Sequence, residues 1–453
     1  MTTTKIIGIL VALSIFGCLA FYAQRSLTIA TGYVAKYVCS SNFVSKIPEQ
    51  TIKKSFAFFP INSVSYHLDE KDKMVTASLW GMFKRKAFFV QKGQYCSCSL
   101  DEPVPTSMLK WVFDAPNARD STEVYWPYGN MLLDSVLSDI DQEAIQTILD
   151  SAIKDNPAFL AMTVAVGDDY LAESYGLGIS THTRLLGWSM TKTMAACMVG
   201  AIQKEQGWDL DAPTGILEWQ DDERKEITTR QLLQMRGGLA WDENYGGLSP
   251  ITRMLYHKDD VYAHAVACKA ESKPGNKWEY SSGTTNILSG LIKSKCENVN
   301  QYLAAPKRLL FDRIGMRSAI IEFDRHHNYV MSSYGWATAR DWTRFGLLLL
   351  NKGQWQGQEV YSTEFADFMS EESPGSNGFY GAQVWLNNPE KTANKIYSFP
   401  DVPSDAYFEN GFGGQRVLII PSKNMVITSL SGYENSYDYN TLYKRILSNV
   451  DNG

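Results

Sequence analysis

The placement of its strand-like segments most constrains how this chain folds. They lie at the two ends of a long stretch that is mostly helical in between. Residues 158–176 are typical of two strands joined by a Gly-Asp-Asp turn. Residues 413–432, near the C-terminus, are typical of an antiparallel hairpin. The sequence therefore predicts an α/β or α+β fold whose sheet is built from both ends of one domain.

Helical patterns fill the space between and beyond these strands. Apolar residues recur at helical spacing in four segments, which are residues 134–155, 189–207, 341–353 and 437–450. Pro157 follows the first segment and Gly207 ends the second, as expected at helix C-termini. The chain has 453 residues, of which 44% are hydrophobic. This is enough for a large core and for more than one typical domain.

An uncharged apolar run occupies residues 6–23, directly after Met-Thr-Thr-Thr-Lys. As a helix it would rise about 27 Å, close to the thickness of a membrane hydrocarbon core. Phe21 and Tyr22 stand at its end, where aromatic residues anchor a helix at the membrane interface. We expect residues 1–24 to be a single-pass anchor, with the rest of the chain outside the cytoplasm, on the periplasmic side if the source is bacterial. A cleaved signal peptide is the alternative.

Two further regions follow the apolar run. Residues 25–120 are predicted to be an accessory region containing strands, because β-branched and apolar segments alternate there with charged turns. This region could cover a site, bind a partner or act as a spacer. Residues 121–453 are predicted to be the main domain.

Charge and cysteine content exclude several classes of function. The net charge is −6 and no cluster of lysine and arginine stands out, so nucleic acid is not an expected partner. Cys96 and Cys98 lie one residue too close for the usual metal-binding pair, and no cluster of histidine or cysteine follows them. In an oxidising compartment we expect Cys39 to form a disulfide with Cys96 or Cys98.

Ser189 and Lys192 form a candidate catalytic pair. Three residues apart in a helical segment, they share one face near the positive end of the helix. A serine needs an adjacent base to become a nucleophile, and a buried lysine with a lowered pKa can be that base. The spacing alone is a weak signal, because chance supplies it about once or twice in a chain of this length. A solvated helix surface is the plain alternative.

Tyr280 and Ser282 strengthen this interpretation. They follow a Pro-Gly turn and lead into an apolar helix in "PGNKWEYSSGTTNILSGLI", residues 274–292. A tyrosine hydroxyl close to a lysine can pass a proton between nucleophile and leaving group. The alternatives are a core tyrosine for Tyr280 and a helix N-cap for Ser282.

The two motifs together resemble the serine β-lactamase and penicillin-binding-protein-like superfamily. The chain looks most like its class C β-lactamase-related branch, which includes esterases and 6-aminohexanoate-oligomer hydrolases. Further segments resemble the family in the same order, namely residues 227–247 (with Gly237 where serine is usual), 335–358 and 410–427. The resemblance covers roughly residues 125–450 and implies a sandwich of an antiparallel sheet with flanking helices and a mostly helical second lobe.

The resemblance also implies roles for individual residues. Ser189 would form the acyl-enzyme, Lys192 would be its proton partner, and Tyr280 a general acid or base. Ser282 would bind substrate where many members have asparagine. The family's third active-site motif, here called the third box, corresponds to "FENGFGGQ", residues 408–415, where either Asn410 or Phe412 stands at the position of the family's lysine or histidine. Asn410, Gly413, Gly414 and Gln415 would line the substrate site. One backbone N–H from residues 413–415 would complete an oxyanion hole with that of Ser189.

The third box departs from the family pattern, because it lacks the lysine or histidine that usually binds a substrate carboxylate. The sequence therefore favours a small amide or ester over a β-lactam, with no metal or organic cofactor required. A penicillin-recognising enzyme and a non-catalytic binding protein remain the rival hypotheses. Glu243, on a loop that could reach the site, is a further candidate. Trp188, Trp241 and Tyr245 are either cleft walls or core residues.

Overall fold

A computed structural model describes residues 3–56, 59–93, 95–105, 124–132, 140–388, 398–433 and 437–450. The helices are α1 Thr3–Cys39, α2 Glu49–Lys54, α3 Gln142–Asp155, α4 Thr191–Gln206, α5 Thr229–Leu233, α6 Pro250–His257, α7 Val261–Val266, α8 Ser282–Ser294, α9 Val299–Pro306, α10 Asp312–Ile314, α11 Ala339–Leu350, α12 Thr363–Ser370 and α13 Tyr439–Leu447. The first four strands are β1 Val64–Asp69, β2 Met74–Leu79, β3 Met82–Lys92 and β4 Tyr95–Leu100. The others are β5 Phe159–Val166, β6 Asp169–Tyr175, β7 Leu185–Leu186, β8 Ile320–Ile321, β9 Gly335–Ala337, β10 Gln354–Trp355, β11 Gln358–Glu359, β12 Trp385–Leu386, β13 Tyr407–Gly411, β14 Gln415–Ile420 and β15 Met425–Ser431.

The main sheet is antiparallel and has six strands in the order β12-β13-β14-β15-β5-β6. The last long strand of the chain, β15, pairs with the first strand of the domain, β5, from Met425 opposite Val166 to Ser431 opposite Phe159. The chain thus returns to its own starting strands after the helical middle. This confirms the predicted fold class and the sheet built from both ends of the domain.

Helices cover both faces of this sheet because its side chains alternate. Leu418 and Ile420 point to the side of α3 and α13 and join a second core there. Val417 and Ile419 point to the opposite side, where α11 packs against β14 and β15. Helices α4 to α9 form a mostly helical lobe, in which α8 contacts each of the others. The predicted helix over 134–155 is described only from Ile140, since residues 133–139 lie outside the described part.

The N-terminal helix α1 is longer than the sequence predicts and passes without a break through residue 24. Its first part is exposed, and the segment Leu10–Ser45 is long and apolar enough to cross a membrane by length and composition, with a mean hydropathy of 1.4. From Ile29 onward nearly all of its residues are buried against the rest of the protein. The predicted boundary after residue 24 therefore falls inside a continuous helix, close to where exposure ends.

The predicted strands of the accessory region form a four-stranded antiparallel sheet in the order β1-β2-β3-β4, against which α1 packs. Cys39 and Cys98 form a disulfide with an S–S distance of 2.01 Å, which resolves the predicted choice of partner. Residues 106–123 of the region lie outside the described part of the chain. The buried residues of α1 and of this sheet belong to the same hydrophobic core as α4 and α8.

A buried ion pair ties this region to the main domain. Lys36 donates to Glu322 across 2.6 Å, and both side chains are almost fully buried. The carboxylate of Glu322 also accepts from the backbone N–H of Cys98 at 2.7 Å and from the indole of Trp336 at 2.9 Å. A buried charge needs such partners, because it has lost its hydration.

Candidate active site

The turn that carries Ser189 lies between β7 and α4. A 3₁₀ turn spans Trp188–Met190, and α4 begins at Thr191. Trp188 has a φ of 47°, in the left-handed region that bulky residues rarely adopt. Its ring is held between aromatic side chains, those of Tyr33 and Tyr37 on α1 and that of Phe412. The strained residue directly before the serine is thus fixed by packing, a pattern common at functional sites.

Lys192 lies in the first turn of α4 and is almost fully buried. Its ammonium nitrogen donates to the hydroxyl of Ser189 at 2.8 Å, to the hydroxyl of Ser282 at 2.9 Å and to the carbonyl of Ser332 at 2.9 Å. These contacts account for all three N–H bonds of a charged lysine. The predicted pair is therefore joined directly, and Ser189 itself is only partly buried.

Burial lowers the pKa of Lys192 to about 8, although the carboxylate of Glu243 nearby acts in the opposite direction. Desolvation disfavours the charged amine, whereas a neighbouring negative charge favours it. With this value, about a tenth of the side chain is neutral at pH 7. A neutral lysine can accept the proton of Ser189. A solvent-exposed lysine is neutral far less often at pH 7, because its ordinary pKa is about 10.4.

Ser282 connects Lys192 to Glu243. The hydroxyl of Ser282 donates to the carboxylate of Glu243 at 2.5 Å, and its backbone N–H donates to the same group at 3.0 Å. The N-cap of α8 is Ser281, whose hydroxyl accepts from the N–H of Thr284, so the hydroxyl of Ser282 is left for this chain of hydrogen bonds. Ser282 is fully buried and already engaged at both sides, and contact with substrate stays a prediction.

Glu243 is held in place by aromatic side chains. The indole of Trp241 donates to it at 2.6 Å, and the hydroxyl of Tyr245 donates to it at 3.3 Å. The loop of Glu243 therefore does reach Lys192, through Ser282. Trp188 and Trp241 are buried, and both lie beside the site.

Tyr280 lies directly before α8, next to the lysine. The centre of its ring is 4.9 Å from the ammonium nitrogen of Lys192. The ring packs against Tyr380 and Trp385, at centroid distances of 5.7 and 5.1 Å. The structure thus brings Tyr280 together with Lys192, as the sequence predicts, on a rigid aromatic support.

The third box forms the end of β13 and the tight turn to β14. A side chain at Gly411 would collide with the carbonyl oxygen of Gly187, so only glycine allows this turn to approach Ser189. Gly413 and Gly414 both have positive φ, at 79° and 91°. The ring of Phe412 packs on Trp188 at 5.7 Å. An aromatic ring thus occupies this turn beside the residue that precedes Ser189.

Gln415 and Asn410 of the third box contact residues other than Ser189 and Lys192. The side chain of Gln415 donates to the carbonyl of Ser431 at 2.6 Å and accepts from its N–H at 2.9 Å, which ties β14 to β15. Asn410 pairs with Arg416 and shares its face of the sheet. That face is the one covered by α13, because Arg416 lies 3.8 Å from the ring centre of Tyr439. Substrate contact by Asn410, Gly413, Gly414 and Gln415 stays a prediction.

A comparison with protein-family models decides which family this arrangement belongs to. The model named Beta-lactamase matches residues 149–446, which include every candidate catalytic residue. The chain belongs to the beta-lactamase family. The resemblance inferred from the motifs is therefore confirmed.

Individual relatives of this family span most of the domain. The 6-aminohexanoate-dimer hydrolase of Paenarthrobacter ureafaciens is 24% identical over 335 residues, which cover 66% of this chain and 76% of that protein. A class C beta-lactamase of known structure matches with a TM-score of 0.51 and 16% identity, over 69% of this chain and 98% of the other. A family VIII carboxylesterase matches with a TM-score of 0.53 and 15% identity, over 70% and 98%. These structures show that the fold is shared.

Two residues that support the site were not identified from the sequence, Ser332 and Asn286. The carbonyl of Ser332 accepts from Lys192, and the side chain of Asn286, one turn after Ser282 on α8, bonds both the N–H and the hydroxyl of Ser332. Asn286 thus positions the loop that holds the lysine. Only the three-dimensional fold brings residue 332 to residue 192, so no local pattern could have indicated it.

Proposed function

We propose that this beta-lactamase-family protein is a serine hydrolase that cleaves an amide or ester bond through an acyl-enzyme. The 2.8 Å hydrogen bond between buried Lys192 and the partly exposed hydroxyl of Ser189 carries the proposal. Burial of the lysine makes a neutral fraction available near neutral pH. A nucleophile in contact with its base is the feature that covalent catalysis requires.

In the first step, the oxygen of Ser189 attacks the carbonyl carbon of the substrate while its proton passes to neutral Lys192. The negative charge moves to the carbonyl oxygen, where the backbone N–H of Ser189 and one from residues 413–415 would stabilise it, at about 3 kcal/mol per donor. The carbon–heteroatom bond then breaks, and the leaving group takes a proton from Lys192 through Tyr280. Water then attacks the carbonyl carbon of the Ser189 ester and gives a proton through Tyr280 to Lys192. Lys192 returns a proton to the oxygen of Ser189 as the acid is released.

Ser282 and Glu243 would hold the lysine in this cycle. When Lys192 gains the proton, the carboxylate of Glu243 stabilises the new positive charge through Ser282. The aromatic third box favours an ester or amide without a carboxylate at that position, since Phe412 cannot bind an anion as lysine or histidine would. This supports a simple ester or amide over a β-lactam as substrate.

Hydrolysis assays with matched variants test the proposal. We expect the purified chain to hydrolyse p-nitrophenyl acetate faster than a chromogenic cephalosporin. Ser189→Ala should remove this activity, whereas Ser180→Ala, at an exposed serine, should keep it. Turnover of the cephalosporin equal to that of the ester would favour a penicillin-recognising enzyme. Failure of the wild type on both substrates would favour a binding protein.

We also propose that the exposed part of α1 anchors the protein in a membrane, with the catalytic domain outside the cytoplasm. The apolar length of α1 and the disulfide of Cys39 support this, since disulfides persist in oxidising compartments. The chain should stay in carbonate-washed membranes and become soluble when residues 1–24 are deleted. Native protein that lacks these residues by N-terminal sequencing would show a cleaved signal instead.

A further inference from the structure

A cavity of about 260 Å³ lies between α1 and the catalytic domain. One wall is a single face of α1, made by Ser26, Ile29, Ala30 and Tyr33 at helical spacing. A second wall is the short segment Phe59, Pro60 and Ile61. Both walls come from the region that precedes the family match at residue 149, so the cavity is a feature that this chain adds to the shared fold.

The third wall is made by residues that adjoin the proposed catalytic residues. Trp188 directly precedes Ser189, and Phe412 directly precedes Gly413 of the turn beside it. Tyr245, stacked on Phe412 at 5.6 Å, holds the carboxylate of Glu243 through its hydroxyl. The cavity wall therefore includes the residue directly before Ser189, and hydrogen bonds link it through Tyr245 and Glu243 to Ser282 and Lys192.

The character of the lining indicates what the cavity binds. Most of its side chains are aliphatic or aromatic, and the hydroxyl of Thr252 is turned to the carbonyl of Gly247 at 2.6 Å. A dry apolar cavity of about 150 Å³ holds benzene, so on the same scale this one holds on the order of ten chain carbons. The cavity also lies at the foot of the exposed apolar part of α1, where the hydroxyl of Tyr22 is beside Gly247.

We propose that this cavity is the subsite for an apolar acyl chain, so that the preferred substrates are amphiphilic esters or amides of medium-chain acids. This rests on the proposed serine hydrolysis at Ser189. We assign the cavity to the acyl part of the substrate rather than to the alcohol or amine part. The reason is that Trp188, one of the lining residues, directly precedes Ser189, which would carry the acyl group. The chain lies between α1 and the aromatic wall while Ser189 holds its carbonyl carbon.

A chain-length series tests the subsite. Each buried methylene is worth about a fourfold gain in binding, so kcat/KM should rise at least tenfold from p-nitrophenyl acetate to the octanoate. Ala30→Phe should fill the cavity and remove this gain while acetate hydrolysis stays within about twofold. Ala30→Leu should shift the preferred chain to shorter acids. Ala23→Phe, at an exposed position of the same helix, should leave the series unchanged.

The outcomes separate this inference from the proposed function. Hydrolysis of acetate that depends on Ser189, with no gain for octanoate and no effect of either Ala30 variant, would overturn the subsite alone. A gain only when the alcohol part of the ester is lengthened would also overturn it. Absence of any hydrolysis by the wild type would instead reject the serine hydrolase. Thermal unfolding of each variant checks that the protein is folded.

Discussion

At the scale of single residues, the sequence identified the candidate residues Ser189, Lys192, Tyr280, Ser282 and Glu243 but not all of the contacts that join them. Ser189 and Lys192 could be paired from sequence because one helical turn separates them. Tyr280 and Ser282 could be added because they fit a family pattern. The carbonyl of Ser332 comes from a loop with no motif, and the part played by Glu243 depends on a bond to Ser282 across 39 positions. Contacts between residues so far apart in the sequence produce no local spacing pattern from which they could be predicted.

Glu243→Gln tests the electrostatic account of Lys192. The carboxylate raises the pKa of the lysine against the larger effect of burial. Removing the charge should lower this pKa from about 8, and the lysine works as a base when it is neutral. The rising limb of kcat/KM against pH should therefore move about one unit towards lower pH.

The matched control for this change is Asp242→Asn, which removes the same charge from an exposed neighbouring residue. Its pH profile should overlay that of the wild type. A profile of Glu243→Gln that does not move, or moves to higher pH, would show that Glu243 is not coupled to the catalytic base.

At the scale of elements, the order of strands and helices was predictable in the main domain and less so before it. Alternating side chains and Gly-rich turns predicted β5, β6, β14 and β15. The continuation of α1 to Cys39 was not predicted, because residues 26–39 contain several β-branched and aromatic residues and a glycine, which are weak helix formers. Packing against the small sheet and the beta-lactamase domain supplies the stability that local preference does not.

Gly411→Ala tests the approach of β13 to the turn that carries Ser189. The added methyl group meets the carbonyl of Gly187, so the end of the strand must move away from Ser189. We expect the variant to fold with a loss of about 1–3 kcal/mol in unfolding free energy. Its kcat on p-nitrophenyl acetate should fall by about tenfold or more, since small misplacements are costly in a preorganised site.

Gly432→Ala is the control, since a methyl group there makes ordinary contacts with Leu160 just after β15. Urea unfolding and ester hydrolysis should be measured on both variants. Equal activity of the two would mean that the third-box turn does not need this close approach.

At the scale of the whole molecule, the N-terminal region shares one hydrophobic core with the beta-lactamase domain. The sequence predicted the strands of the small sheet and a disulfide from Cys39 to either Cys96 or Cys98. It left the role of the region open. The structure shows Tyr33 and Tyr37 of α1 stacked on Trp188, and Lys36 paired with Glu322 inside a common core. These contacts join residues about 150 to 290 positions apart, which patterns along the chain do not reveal.

Lys36→Met tests whether the two regions unfold together. The substitution leaves the buried carboxylate of Glu322 without its cation, which should cost roughly 3–5 kcal/mol in unfolding free energy. The double variant Lys36→Met, Glu322→Gln should regain most of this loss, because no unpaired charge remains. Both should unfold in a single urea transition, and a second transition in the single variant would show that the regions are independent.

Peptide mapping of the covalently modified protein tests the central claim most directly. The chain is treated with a fluorophosphonate, digested, and the modified serine is located by mass spectrometry. We predict a single phosphonylated site at Ser189, retained in Ser282→Ala and lost in Ser189→Ala. Modification at Ser282 or at another serine, or labelling that persists in Ser189→Ala, would contradict the assignment of Ser189 as the nucleophile.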